Sequence, residues 1–218
     1  MAKRFAGAMS SFTNGHGNSP ASLVNDYPWD TIEKGTVVDV GGSKGNVSIA
    51  LAEKYSNLKF IVQDLPDMIT GVAETLPTDL QSRIEFQAYD FFQAQAVEAN
   101  IYLFRNIFHN WSDSHAIRIL RALVPALRSG ARIIVNDYLL PEPNTSPWLK
   151  ERAACEMDMV MLTLFNARER EESDWIEPFR KADSRFSNVN IWMPEGSAMA
   201  IMEIVAGGQG RERGVRRC

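Results

Sequence analysis

The chain has 218 residues, a length that fits one domain with an appendage at roughly 150 residues per domain. Apolar residues make up 45% and charged residues 23%, the balance of an ordinary globular chain rather than a disordered one. A net charge of −4 and a pI near 5.5 argue against a nucleic-acid binder, which needs a basic face to neutralise phosphates.

Residues 10–20 are rich in Ser, Asn and Gly and read as a turn-rich loop. Strand and helix signals then alternate. Thr36-Val-Val-Asp-Val40 is a short apolar run that stops at Gly41-Gly42, and a helix follows from Asn46 to about Tyr55. Lys59–Gln63, Ile84–Ala88 and Ile101–Phe104 read as three more strands of buried type. Ser112 is placed to cap a helix with Ile117, Leu120, Val124 and Leu127 on one face, kinked by Pro125 and ended by Gly130. Arg132–Asn136 is a fifth strand, followed by helices from about Leu149 to Leu164 and from Asp174 to Ala182. Two β-type runs, Ser187–Met193 and Ala198–Val205, close the order as a hairpin. This alternation implies an α/β fold with a doubly wound, mostly parallel sheet, the hairpin placing one antiparallel strand in it. Residues 207–218 read as a disordered tail. No apolar run reaches the ~18 residues of a membrane span, and the N-terminus lacks a secretory apolar centre. With only Cys155 and Cys218, a disulfide framework is not expected, which points to the cytoplasm; Asn46, Asn110 and Asn144 are then chance sequons.

In such a sheet a ligand sits beyond the carboxyl ends of the strands, at the switch point beside the first. The turn there, Asp39-Val-Gly-Gly-Ser-Lys-Gly45, is not a phosphate loop, and Ser43 replaces the second glycine of a dinucleotide fingerprint. What remains is a tight glycine turn that admits close backbone approach. Asp64 ends the second strand, where a carboxylate accepts bonds from both ribose hydroxyls. Asp90 ends the third, with Phe91 and Phe92 behind it, a pairing suited to the edge and face of an adenine. Tyr55 and Lys59 match the Tyr-x-x-x-Lys pair of a dehydrogenase, but they lie too close to the glycine turn to face a nicotinamide. With no pyrophosphate to hold, S-adenosylmethionine is the better fit.

Five ordered motifs carry a resemblance: Val37 to Ser48 with Val62 to Pro66, Tyr89 to Phe92, Arg105 to Asp113, Ile133 to Pro141, and Asn166 to Arg170. Together they resemble the S-adenosylmethionine-dependent O-methyltransferases of plant and fungal natural-product pathways, the caffeic acid O-methyltransferase-like family, in its fungal wording. The resemblance implies a Rossmann-like class I methyltransferase sheet of seven strands with the last antiparallel. It implies that Gly41, Gly42, Asp64, Asp90, Phe91 and Arg105 contact the cofactor, that His109 is the general base, and that Asp137 and Glu169 flank it. The family usually has Glu where this chain has Asp137. Members also carry an N-terminal helical domain that dimerises and walls the acceptor pocket. Here residues 1–30 resemble the connector before that family's catalytic domain, which would cover residues 31–206.

Methyl transfer from a sulfonium needs an acceptor oxygen held in line and relieved of its proton. A phenol with a pKa near ~10 is a poor nucleophile at neutral pH, whereas a histidine near ~6.5 takes its proton as attack proceeds. A carboxylate on the far ring nitrogen fixes the tautomer and stabilises the imidazolium. Met157, Met161 and Phe165 share a helical face that serves either as core or as wall of an aromatic acceptor pocket, and His115 reads as structural. Glu169 lies in the run Arg168 to Glu172, which reads equally as a solvated charged turn. No metal site is expected, because His-Glu-x-x-His is absent and the histidines are few. Two other readings stand beside an O-methyltransferase: a catalytically silent cofactor-binding domain, and a nicotinamide dehydrogenase disfavoured by Ser43.

Overall fold

The computed structural model describes residues 18–207. Seven strands form one sheet: β1 (Gly35–Val40), β2 (Leu58–Asp64), β3 (Ile84–Ala88), β4 (Ile101–Arg105), β5 (Arg132–Tyr138), β6 (Val189–Trp192) and β7 (Met199–Val205). Their order is β3-β2-β1-β4-β5-β7-β6, and β7 alone runs opposite to the other six. The fold is therefore the expected α/β sheet of class I methyltransferases. Its order reverses between β1 and β4, which opens a crevice above their carboxyl ends.

Alternation along the central strands puts one set of side chains on each face, and both faces are covered. Val38, Val40, Phe104, Ile133 and Val135 meet α4 (Asp113–Leu123) and α6 (Glu172–Ala182) through Ile119, Leu120, Trp175 and Phe179. Val37, Phe60, Leu103 and Ile134 meet α1 (Ala21–Asp26) and α2 (Asn46–Lys54) through Leu23, Leu51 and Ala52. Trp29 and Tyr27, from the segment read as a connector, lie in this second layer; the Trp29 indole donates to Leu23 O at 2.9 Å. A short α3 (Pro66–Ile69) follows β2, and α5 (Trp148–Phe165) follows β5.

Most element ends fall within two residues of the expected ones, and the differences have local causes. Pro125 has no N–H to donate, so α4 stops at Leu123 and tightens into a 3-10 turn over Val124–Ala126 instead of kinking. Ser112 does stand at the N-cap of α4, yet its hydroxyl makes no capping bond; it meets His115 Nδ1 at 2.8 Å. Residues 10–17 of the turn-rich loop and the tail beyond Gly207 lie outside the described residues. Among those described, no helix is long and apolar enough to cross a membrane.

Asp39 lies fully in the sheet, with Ser48 Oγ donating to its Oδ2 at 2.7 Å. Burial pushes its carboxyl up to about 6, helped by Asp64 and opposed by the Ser48 bond and Arg105. The folded chain thus holds this proton more tightly than the unfolded one. Its contribution to stability is complete below about pH 4 and disappears as pH rises through about 6, a difference on the order of 2–3 kcal/mol. In urea titrations from pH 4 to 7.5, Asp39→Asn should flatten that decline; an unchanged slope would reject the assignment.

Candidate active site

The glycine turn closes β1 against β2. Gly41 sits at φ +74°, a left-handed conformation that glycine adopts without strain, and a Cβ there would lie 2.5 Å from Ile107 Cδ1. A Cβ on Gly42 would lie 2.6 Å from Asp39 Cγ and 2.8 Å from Val62 Cγ1. Both glycines are thus demanded by crowding. Ser43 takes φ +51°, unusual for a side-chain-bearing residue, and its N–H donates to Asp64 Oδ2 at 2.8 Å. The other Asp64 oxygen accepts Leu65 N–H at 2.7 Å. Asp64 therefore anchors the turn and keeps a second lone pair on each oxygen.

Asp90 is exposed, and its carboxylate accepts Phe92 N–H at 3.0 Å. Phe91, Phe92 and Trp111 form an edge-on cluster with centroids 4.9–5.9 Å apart. Trp111 was not singled out by the sequence reading, although it stands two residues beyond His109. Arg105 ends β4 half-buried, donating from Nε to Asn136 Oδ1 at 2.9 Å and from Nη2 to both Asn18 O and Met199 Sδ. Nε and Nη2 therefore meet protein acceptors on β5, on β7 and on the segment before α1. Tyr55 and Lys59 do not form a dyad: the Tyr55 hydroxyl donates to Val24 O at 2.8 Å, and Lys59 is exposed.

His109 occupies a 3-10 turn, Phe108–Asn110, just beyond β4. His109 is 3% exposed, and its ring stacks on Tyr138 at 5.6 Å. Glu169 Oε1 lies 3.1 Å from Nδ1, and Asp137 Oδ1 lies 3.5 Å from it. The short Asp137 side chain reaches less far toward the ring, and its other oxygen accepts the His109 backbone N–H at 3.2 Å. Glu169 is thus the closer ring partner, while Asp137 holds ring and main chain together. One side-chain atom from each of His109, Asp137 and Glu169 lies within 4.8 Å of those of the other two. With carboxylate oxygens as its neighbours, Nδ1 carries the ring proton, and the lone pair of the neutral ring falls on Nε2. Nε2 is buried and finds no hydrogen-bond partner among the described residues.

Burial alone would lower the His109 pKa, but Asp137 and Glu169 together outweigh it and raise the pKa above its ordinary value. Burial raises the Glu169 carboxyl, with Asp137 and Asp158 adding to this and His109 opposing. The solvated-turn reading of residues 168–172 holds for only part of the run. Arg168 and Glu172 are exposed, whereas Glu169 and Arg170 are 2% and 0% exposed. Met161 is buried, with Met157 and Phe165 half-buried beside it on α5, the helix that contacts the His109 turn.

Residues 21–184 match the family described as the O-methyltransferase domain. The chain is 50% identical over 206 residues to the grayanic acid biosynthesis cluster O-methyltransferase of Cladonia grayi, covering 94% of this chain and 46% of that protein. It is 43% identical over 209 residues to the chlorophenol O-methyltransferase of Trichoderma longibrachiatum, with 94% and 45% covered. The chain spans about half the length of the curated relatives it matches. In fold it is similar to human N-acetylserotonin methyltransferase solved in complex with SAM, at a TM-score of 0.74 and 21% identity over 87% of this chain and 52% of that one. Matched over most of its length to that domain and to fungal relatives at these identities, the chain belongs to the O-methyltransferase family.

Proposed function

We propose that this chain is the catalytic part of an S-adenosylmethionine-dependent O-methyltransferase that methylates a hydroxyl of an aromatic secondary metabolite, phenolic or polyketide, without a metal ion. The observation that carries the reading is a buried histidine whose Nδ1 meets two carboxylates while its Nε2 finds no partner among the described residues, beside a glycine turn at the sheet's switch point. The relative named for chlorophenol supports an aromatic acceptor, and the one named for a grayanic acid biosynthesis cluster supports a role in secondary metabolism.

The residues present fit the cofactor. Gly41 and Gly42 let the turn fold tightly against Ile107, Asp39 and Val62 at the switch point, where no other residue type would fit. Asp64 keeps acceptor capacity for a ribose, and Phe91, Phe92 and Trp111 offer aromatic surface near Asp90 for an adenine. When bound, S-adenosylmethionine supplies a methyl group on an already activated sulfonium. His109 Nε2 accepts the acceptor's hydroxyl proton as the oxygen attacks. Glu169 and Asp137 hold the ring through Nδ1 and stabilise the positive charge that it gains. In this reading Met157 and Phe165, half-buried on α5, exclude water from that side.

The test is transfer of label from methyl-labelled S-adenosylmethionine to a panel of phenols, with and without EDTA. Label recovered as an aromatic methyl ether at the same rate in chelator is the expected result. Transfer that stops in EDTA and returns with magnesium would overturn the metal-independent reading. Calorimetric cofactor binding with no transfer to any acceptor would leave a silent binding domain.

A further inference from the structure

Arg170 ranks among the largest side chains held entirely out of solvent. A buried guanidinium is unfavourable unless its donors find acceptors. Here they do: Nε donates to Asp113 Oδ1 at 2.9 Å, one terminal nitrogen to Phe108 O at 2.9 Å, and the other to Trp111 O at 2.7 Å. Those two carbonyls bracket the turn that carries His109. The main chain of the same residue reaches the other side of the site, because Leu140 N–H donates to Arg170 O at 2.9 Å, three residues beyond Asp137. The residue immediately before it is Glu169, whose N–H is held by Asp158 Oδ1 at 2.8 Å. One residue therefore touches the segments that supply the histidine and both carboxylates.

We propose that Arg170 is a positioning residue for His109, keeping its turn in register with Glu169 and Asp137 so that Nδ1–H stays between the carboxylates. This rests on the reading of His109 as the base and extends it. The charged groups facing the imidazole are Asp137 from β5 and Glu169 and Arg170 from the segment before α6, with Tyr138 stacked on the ring. Asp158 on α5 lies behind Glu169, and Asp113 on α4 behind Arg170.

The deciding observable is the Nδ1–H proton of His109 by NMR, in a chain with three histidines. In wild type it should give a downfield resonance protected from exchange. Arg170→Lys keeps the buried charge, but an ammonium cannot span the two carbonyls and Asp113 together. The resonance should broaden or vanish while S-adenosylmethionine still binds. In the turnover assay, kcat should fall by roughly tenfold to a hundredfold with little change in acceptor KM. Arg170→Met, where it folds, should also move the His109 titration midpoint to higher pH, because an opposing positive charge is gone; Arg170→Lys should not. An Arg170→Lys protein that keeps both the resonance and wild-type kcat would overturn the proposal, whatever its melting temperature. So would a wild-type Nδ1–H that exchanges freely. Should His109→Ala leave turnover unchanged, the base reading falls, while the resonance still decides the role of Arg170.

Discussion

His109→Ala should leave S-adenosylmethionine affinity close to wild type and lower turnover by roughly 10²–10⁴-fold, the range of a general base. The argument is geometric first. Nδ1 is committed to Glu169 and Asp137, and Nε2 is the ring atom left to meet a substrate proton. Because the carboxylates raise the His109 pKa above its ordinary value, the base form grows as pH rises, and the acidic limb of the pH–rate profile should lie above about 6.5. In the alanine variant that limb should disappear. The residual rate should instead climb toward the ionisation of the phenol itself. Glu169→Gln should cost more than Asp137→Asn, since Glu169 is the closer partner of the ring and Asp137 also grips main chain. A pH–rate profile unaltered by His109→Ala would show that positioning alone drives transfer.

Asp64→Ala should weaken S-adenosylmethionine by at least about tenfold, since a charge-assisted bond to a ribose hydroxyl contributes roughly 1.5–3 kcal/mol before compensation. The loss has a second source. The same carboxylate holds Ser43 N–H, and Ser43 sits at positive φ, so its release lets the turn relax away from the ligand. Asp64→Asn, which still has one carbonyl oxygen to offer the turn, should bind with intermediate affinity. Calorimetry that finds all three proteins equal, with circular dichroism unchanged, would remove Asp64 from the cofactor site.

Both expectations began in the sequence. The run Thr36 to Gly42, the carboxylate ending β2 and the histidine after β4 were readable because short apolar strands and glycine turns are local signals. A parallel sheet then brings consecutive strand ends to one edge, so Asp64, His109 and Asp137 could be assigned to one crevice. The hairpin that makes β7 antiparallel was legible for the same reason: Pro194-Glu-Gly196 is a turn signal between two β-type runs.

Packing decided the rest. Glu169 is 60 residues from His109, and no local pattern tells which of two carboxylates comes closer to the imidazole. That depends on where the segment after α5 folds back against the His109 turn. The charged run 168–172 reads as solvated because composition reports average polarity, whereas two neighbours within it, Glu169 and Arg170, are buried between exposed ends. Arg170 enters the interior because two main-chain carbonyls and Asp113, distant in sequence, converge there to receive it. Sequence by itself thus determined the sheet, its order of elements and the edge where chemistry gathers, all consequences of local periodicity. Which groups meet the imidazole, and what holds them there, was decided by long-range contacts, because hydrogen-bond partners for a buried charge exist only once the chain has folded.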